Sequence, residues 1–283
     1  MRIGVIGTGD IFHKAYAPGL KAYGLDVAAV ADLDLGRAQA MAQQHGIARV
    51  LSVDALLADP SIGLVVNLTV PQAHAPIAIR ALDAGKHVYG EKPLALDASE
   101  GRQVLAAAAR ARRTVTSAPD TILGAGLQTC RHIVDNGVLG AVVGGCAHLA
   151  CPGHERWHHN PDFYYRAGGG PVLDMGPYYL SALVMILGPI ARVTGFGARP
   201  LSQRTIGQGP RAGQVVPVSV DTHVAALIEF ASGAIINVLM SFDVRAHQLP
   251  RLELWGSAGS LQLSDPNDFG GTVRLHQGGG QHS

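Results

Sequence analysis

Residues 3–16 have the sequence IGVIGTGDIFHKAY. The apolar run IGVI is typical of a buried strand, and the residues from 11 onward are typical of a helix. Gly7 and Gly9 stand between the two, where glycine lets the backbone approach a pyrophosphate and the helix N-terminus offers unpaired N–H groups. Phe12 replaces the third glycine of a full G-x-G-x-x-G pattern. The stretch therefore predicts a dinucleotide-binding turn with an incomplete fingerprint, and Asp10 and Ile11 at the helix start are candidate cofactor contacts.

The alternation of apolar strands and helices continues through the first 118 residues. Further strands are predicted at 27–31, 63–69, 87–89 and 114–118, and helices at 11–23, 34–45, 71–84 and 96–112. Continuous apolar strands alternating with helices are typical of a parallel sheet covered on both faces. We therefore expect residues 1–118 to form a doubly wound Rossmann domain of the α/β class.

After Pro119 the pattern changes to that of an α+β domain. A helix is predicted at 124–136 and a strand near 142–149, followed by a polar, aromatic loop at 152–167. A glycine-rich segment then leads into another helix. The remaining residues are strand-like, at 222–230, 234–242, 251–255, 260–263 and 272–276. We expect residues 119–283 to form a substrate-binding and oligomerisation domain with a mostly antiparallel open sheet.

Composition excludes several classes of protein. The 283 residues are 47% hydrophobic and 15% charged, which supplies a core and argues against disorder. The net charge of +1, without a basic stripe, argues against a nucleic-acid or membrane partner. No apolar stretch is long enough to span a bilayer, and no signal peptide precedes the first strand. With three cysteines that lack paired zinc spacing, these features predict a cytoplasmic protein with reduced thiols.

Asp32 ends the second predicted strand, 23 residues after Gly9. A carboxylate at this place can accept both ribose hydroxyls of NAD and repels the 2′-phosphate of NADP. The alternative is that Asp32 or Asp34 caps the next helix. In this strand–helix–strand context we expect dinucleotide binding, with NAD preferred to NADP.

Two other strand ends fall at the edge where open α/β sheets bind their ligands. Thr69, Pro71 and His74 follow the strand at 63–69 and are expected to line the cofactor, although a lone histidine is more often an ordinary surface residue. Glu91 and Lys92 follow the strand at 87–89 and are further candidate cofactor contacts. Lys92 could hydrogen-bond a substrate hydroxyl and hold positive charge near a developing alkoxide. The alternative is a solvated charged turn.

Residues 168–180, GGGPVLDMGPYYL, place Asp174 and Tyr178 four positions apart where a loop becomes a helix. Residues at this spacing share one helical face, so we expect both side chains to point out of the junction together. In the alternative arrangement Asp174 caps the helix and Tyr178 is packed with its ring buried.

Four segments together resemble the Gfo/Idh/MocA oxidoreductases: GTGDI, NLTVPQAH, GKHVYGEKPLA and GGGPVLDMGPYYL. The resemblance implies a dehydrogenase that uses NAD(P) to oxidise a hydroxyl of a sugar, inositol or related polyol. It implies Lys92 as the catalytic lysine and Asp174 as the aspartate of the D-x-x-x-H motif, with Tyr178 in the place of the histidine. Members of the family continue beyond the length of this chain.

The proton carrier is left open between two residues. A tyrosine of ordinary pKa, about 10, is too weakly ionised near neutral pH to accept a proton unaided. One hypothesis is that Tyr178 takes the hydroxyl proton while the positive charge of Lys92 favours the phenolate. In the other, Lys92 is the base and Tyr178 positions the substrate.

HERWH at 154–158 matches the H-E-x-x-H pattern of zinc proteases. That pattern requires a helix, whereas CPG precedes it and HHNP follows, so no metal site is expected. The loop is interpreted as a substrate loop, in which Trp157, Tyr164 and Tyr165 stack on sugar C–H groups and His158 bonds hydroxyls.

Asp120 follows the first domain closely and is a candidate hydroxyl acceptor in substrate binding. It could equally cap the helix predicted near 124.

The predicted strand at 222–230 also has apolar residues on both faces. Ala225 and Leu227 alternate with Val224, Ala226 and Ile228, so a homo-oligomer through the second sheet is expected. Two other functions stay open: a redox-assisted glycosidase that regenerates its NAD within each turnover, and a dinucleotide-binding protein without catalysis.

Overall fold

The computed structural model describes residues 1–278, and the chain divides into two compact units. The first comprises Met1–Ala118, and the second begins at Pro119. No helix within residues 1–278 has the length and apolar character needed to cross a membrane.

The first unit is built on a five-stranded sheet in which every neighbouring pair is parallel, in the order β2-β1-β3-β4-β5. Its strands are β1 Arg2–Ile6, β2 Val27–Ala31, β3 Ile62–Asn67, β4 His87–Gly90 and β5 Val115–Ser117. The strand order reverses at β1, so the carboxyl ends of β1, β2 and β3 surround the point where such sheets bind ligands. The predicted Rossmann sheet is confirmed.

Three of the five α-helices of the first unit begin at residues whose side chains cap them. They are α1 Ala17–Ala22, α2 Leu35–His45, α3 Val53–Ala58, α4 Pro71–Asp83 and α5 Ala98–Ala111. Asp34, Ser52 and Asp97 accept backbone hydrogen bonds at the starts of α2, α3 and α5. The short helix α3 was not predicted. A π-helical turn at Phe12–Tyr16 precedes α1.

The second unit has a seven-stranded sheet in the order β14-β13-β12-β6-β11-β10-β7. Its strands are β6 Val142–Ala150, β7 Ile190–Ala198, β10 His223–Phe230, β11 Ile235–Ser241, β12 Leu252–Gly256, β13 Gly259–Gln262 and β14 Arg274–Gln277, and β8 Gln203–Thr205 and β9 Val215–Pro217 form a separate hairpin. Among these pairs β6 and β11 are parallel and the other sheet neighbours antiparallel. The mostly antiparallel sheet is confirmed.

One face of this sheet is covered by helices. The helices are α6 Ala125–Asp135, α7 Gly170–Asp174 and α8 Gly176–Leu187, and short 3-10 turns occur at Asp120–Leu123, His154–Arg156 and Pro161–Tyr165. Leu127 of α6 and Leu183 of α8 are fully buried in the same core as Ile236 and Leu254 of the sheet. Strand β7 was missed in the sequence, and all nine of its residues are exposed.

Candidate active site

The turn after β1 is shaped by a glycine that a larger residue cannot replace. Gly7 has φ of 96°, and a Cβ there would lie 2.5 Å from the carbonyl oxygen of Leu68. Gly9, two residues later, has no heavy atom within 4 Å of the corresponding position. Gly7 therefore fixes the path of the turn, and Gly9 leaves its other side open, as a phosphate-binding turn requires.

The helix that follows this turn differs from the usual one at its third motif position. Phe12 is fully buried in a core with Ile3 and Val5, and the helix starts there with its π-helical turn. The two predicted cofactor contacts before it stay accessible: the Asp10 carboxylate lies 2.9 Å from the Lys14 ammonium, and Ile11 is 43% exposed.

Asp32 is the most heavily hydrogen-bonded of the predicted cofactor residues. Its Oδ2 accepts from Thr8 N at 2.7 Å and Thr8 Oγ1 at 2.9 Å, and its Oδ1 accepts from Asp34 N at 2.9 Å. Arg37 Nη2 lies 2.6 Å from Oδ1. Burial opposes ionisation, but the bonds from Arg37, Thr8 and Asp34 outweigh it and lower the pKa of Asp32 to about 2.

Arg37 was not anticipated, although its place in the first turn of the helix after Asp32 was a usable signal. Asp34, and not Asp32, caps this helix. With a pKa of about 2, Asp32 is ionised at neutral pH next to the glycine turn. Its predicted contact with ribose would have to be made alongside Thr8 and Arg37.

His74 differs from its prediction as a cofactor-lining or surface residue. It is buried, with Nδ1 2.7 Å from the carbonyl oxygen of Pro93 and Nε2 3.0 Å from that of Thr69. Both ring nitrogens thus face the backbone, and the imidazole joins the turn after β3 to the turn after β4. Thr69 itself donates from N and Oγ1 to Asn67, and Pro71 is the first residue of α4.

Glu91 and Lys92 follow β4, and a tyrosine from the π-helical turn holds the glutamate. The Tyr16 hydroxyl donates to Glu91 Oε1 at 2.7 Å, and Lys92 N donates to Oε2 at 3.1 Å. Burial, then the negative charge of Glu91, raises the pKa of Tyr16 strongly, so Tyr16 is a neutral donor. Its role could not be predicted, because 75 residues separate it from Glu91.

In the second unit, Asp174 and Tyr178 belong to two successive helices. Helix α7 ends at Asp174, and α8 begins at Gly176 after a break at Met175. Gly176 and Pro177 lie in the first turn of α8, where such residues are tolerated. The capping alternative is not observed, because Met175 is the N-cap of α8 and no side chain caps it. Tyr178 is half-buried against the core.

The Asp174 carboxylate is bound by a histidine that sequence analysis assigned to a different motif. His154 Nε2 lies 3.1 Å from Asp174 Oδ2, and the two side chains are 14% and 15% exposed. Trp157 Nε1 lies 3.2 Å from the other ring nitrogen, Nδ1. The HERWH segment forms a 3-10 turn at His154–Arg156 and no α-helix. Within residues 1–278 no group of three or more His, Cys, Asp or Glu side chains is arranged to hold a metal ion.

Glu155 points away from His154 into a buried polar network. It accepts from the Tyr165 hydroxyl, and Arg204 Nη1 lies 3.4 Å from its Oε1. Arg204 also pairs with Asp243. Tyr165 is fully buried, so its predicted role as a stacking face for sugars is wrong.

The other predicted substrate residues differ in their exposure to solvent. Trp157 is 53% exposed. His158 is half-buried, and its Nδ1 accepts from Asn160 N at 3.0 Å. Asp120 is exposed in a 3-10 turn and does not cap α6, whose N-cap is Gly124. Tyr164 is half-buried, and burial, then the charges of Asp174 and Tyr178, raises its pKa.

Comparison with known protein families agrees with both units. Residues 1–118 match the family described as an oxidoreductase family with an NAD-binding Rossmann fold, and residues 127–262 match the GFO/IDH/MocA C-terminal domain.

Individual proteins support the same relationship. The chain is 31% identical over 257 residues to D-xylose 1-dehydrogenase (NADP(+)) 2 of Haloferax volcanii, covering 89% of this chain and 73% of that protein. It is 28% identical over 281 residues to D-glucoside 3-dehydrogenase of Escherichia coli, covering 93% and 77%. The crystal structure of an NAD binding oxidoreductase from Klebsiella pneumoniae superposes with a TM-score of 0.80 at 26% identity, covering 98% of this chain and 75% of that one.

The ion pair at Asp32 gives a prediction for stability. The pKa of this carboxyl is lowered from 3.8 to about 2 on folding, so its contribution is complete above about pH 5 and is lost as the pH falls through 2. Asp32→Asn should lower the free energy of unfolding at pH 7 by about 2 kcal/mol. The deficit should shrink between pH 4 and pH 2 in denaturant titrations of the full chain. Asp83→Asn, at an exposed pair with Arg110, is the matched control and should change stability by less than about 1 kcal/mol. An Asp32→Asn deficit that is constant across this pH range would contradict the assignment.

Proposed function

The chain belongs to the Gfo/Idh/MocA family of NAD-binding oxidoreductases, and on this premise we propose that it is an NAD-dependent dehydrogenase for a hydroxyl group of a sugar, inositol or related polyol. The observation that carries the proposal is the glycine turn at Gly7 and Gly9 with the ionised Asp32 bonded to Thr8 inside it. Two relatives named for D-xylose and D-glucosides support a carbohydrate substrate.

The described residues fit NAD. The open side of Gly9 and the accessible start of the helix at Asp10 and Ile11 suit a pyrophosphate, and Asp32 suits the ribose. The other candidate cofactor contacts follow the neighbouring strands β3 and β4: Thr69, Pro71 and Glu91. When bound, NAD would supply the hydride acceptor. The charge of Asp32 favours NAD over NADP. The exposed guanidinium of Arg37 and the NADP-dependent relative argue in the other direction, so the preference between the two cofactors is the first property to measure.

The substrate chemistry is divided among three side chains. We assign Lys92 to the substrate oxygen, where an ammonium stabilises a developing alkoxide, and Tyr178 to the removal of the hydroxyl proton. Asp174 would fix a neighbouring hydroxyl. The exposed ring of Trp157 would stack on the sugar, and His158 and Asp120 would contact further hydroxyls.

The test of the proposed function is a binding and turnover experiment. Calorimetric titration with NAD and NADP should show tighter binding of NAD, and a panel of inositols, aldoses and glycosides should contain one compound that yields absorbance from reduced nicotinamide. Asp32→Ala should improve binding of NADP relative to NAD, because the repulsion of the 2′-phosphate is removed. Cleavage of a glycoside without net NADH would indicate the redox-assisted glycosidase. Binding without any reaction would indicate a non-catalytic protein, and failure to bind either dinucleotide would overturn the proposal.

The assignment of the proton carrier predicts a separate result. Tyr178→Phe keeps the ring and removes the hydroxyl, so turnover should fall at least about a hundredfold, while NAD binding stays unchanged. Tyr23→Phe, at an 84% exposed tyrosine, is the control. Retained turnover in Tyr178→Phe, with loss in Lys92→Met, would make Lys92 the base.

The second sheet also has an apolar outer face. Phe196, Leu227, Ile235 and Trp255 are 86%, 50%, 52% and 41% exposed on four strands. Exposed large apolar side chains that share one face of a sheet are typical of a protein interface. We propose that a second copy of the chain covers it in a symmetric homo-oligomer.

This arrangement predicts that a charge on the outer face dissociates the assembly. Leu227→Asp should convert an oligomer to a monomer in sedimentation velocity, because the carboxylate would be buried without a partner. Leu33→Asp, at a 99% exposed leucine of the first unit, should leave the oligomer intact. A wild-type chain that sediments as a monomer would refute the interface.

A further inference from the structure

We propose that His154 is a positioning residue for Asp174, and that Trp157 fixes the imidazole in the tautomer that this role requires. The inference rests on the proposed function for its catalytic consequence, but the hydrogen-bond chain itself lies within the second unit. In the family motif the residue four positions after the aspartate is a histidine, and here it is Tyr178. The histidine bound to Asp174 instead comes from 20 residues earlier in the chain.

The directions of the two hydrogen bonds that link Trp157, His154 and Asp174 follow from the indole N–H of Trp157. An indole N–H can only donate, so Nδ1 of His154, 3.2 Å away, must be the acceptor. A neutral imidazole that accepts at Nδ1 carries its proton on Nε2. That N–H lies 3.1 Å from Asp174 Oδ2 and donates to it. Trp157 therefore selects the tautomer in which His154 holds the carboxylate.

The surroundings of the imidazole restrict its rotation. The rings of Tyr164 and Phe242 lie 4.6 Å and 4.5 Å from it, between centroids. The backbone of His154 is fixed as well, since its N–H donates to the Tyr165 hydroxyl at 3.1 Å and its carbonyl accepts from His158 N at 2.8 Å. A ring that packs against two aromatic rings and is held at its backbone can keep a carboxylate in the orientation that binding or catalysis needs.

The arrangement also explains why Trp157 is more than a stacking surface. Its ring is 53% exposed, while its N–H reaches the 14% exposed His154. A ligand that stacks on the indole face would touch the outer end of a hydrogen-bond chain that ends at Asp174. The chain thus gives the aromatic loop a polar connection to the D-x-x-x-Y motif.

The experiment compares two variants that differ by one methylene. In His154→Gln the longer amide can accept from Trp157 and donate to Asp174, whereas in His154→Asn the shorter amide cannot span both partners. With NAD and the substrate found in the turnover panel, His154→Asn should lower kcat by about tenfold or more, the value of a hydrogen bond to a charged group. His154→Gln should restore most of kcat, with KM changed little in either. Equal loss in both variants would overturn the proposal.

A double-mutant cycle separates positioning from general support of the fold. If His154 acts through Asp174, then His154→Asn should have little further effect on kcat in an Asp174→Asn background, because the residue it positions is already disabled. The same loss in both backgrounds would show that His154 acts independently of Asp174.

Fluorescence tests the hydrogen-bond chain from Trp157 to Asp174 without any enzymatic turnover. Trp255→Phe leaves Trp157 as the one tryptophan of the protein. In that background His154→Asn should increase quenching of Trp157 by acrylamide, because the indole loses its anchor, and His154→Gln should not. If quenching behaves so while the wild type reduces no NAD on any substrate, the proposed function fails and the hydrogen-bond chain stands. Unchanged quenching in both variants would refute the hydrogen bond from Trp157 to His154.

Discussion

The close approach of two backbone turns determines the first unit. The residue after β1 passes so near the Leu68–Thr69 peptide that only glycine fits at position 7. Beyond it, Thr8 donates twice to Asp32 at the end of β2, and Leu68 N donates to Ile6 O. The ends of three parallel strands are thereby joined at the point where the strand order reverses. These contacts shape the turn without a ligand, and such preorganisation lowers the entropy lost on binding.

The features that the sequence predicted correctly are those set by local patterns. Apolar strands of β1–β5 alternate with helices, and the positions of Gly7 and Asp32 follow from that alternation. Strand β7 was missed because it is exposed along its whole length, so no burial constrained its residues to alternate. Helix α3 has six residues, too few for its period to be evident. Helix α7 has five residues and was missed because the glycine-rich segment before Asp174 was interpreted as a loop.

Side-chain partners were not predictable in the same way, because they depend on tertiary contacts. Tyr16 meets Glu91 across 75 residues, and His154 meets Asp174 across 20. The sequence HERWH matches a metal motif that its flanking residues argued against, and the segment is a 3-10 turn in which His154 and Glu155 contact different partners. His74 and Tyr165 were expected to face ligands because of their chemistry. Burial instead gave them backbone and carboxylate partners.

A common rule governs the carboxylates of both units. A buried carboxylate needs donors, since leaving one without hydrogen bonds is costly. Asp32 receives them from Thr8 and Arg37, and Glu91 from Tyr16. At Asp174 the family motif would place a histidine one helical turn further on, and in this chain that residue is a tyrosine that follows a helix break. The carboxylate still needs a hydrogen-bond donor, and the imidazole of His154 in the preceding loop supplies one. The motif aspartate therefore has an imidazole partner that comes from outside the motif.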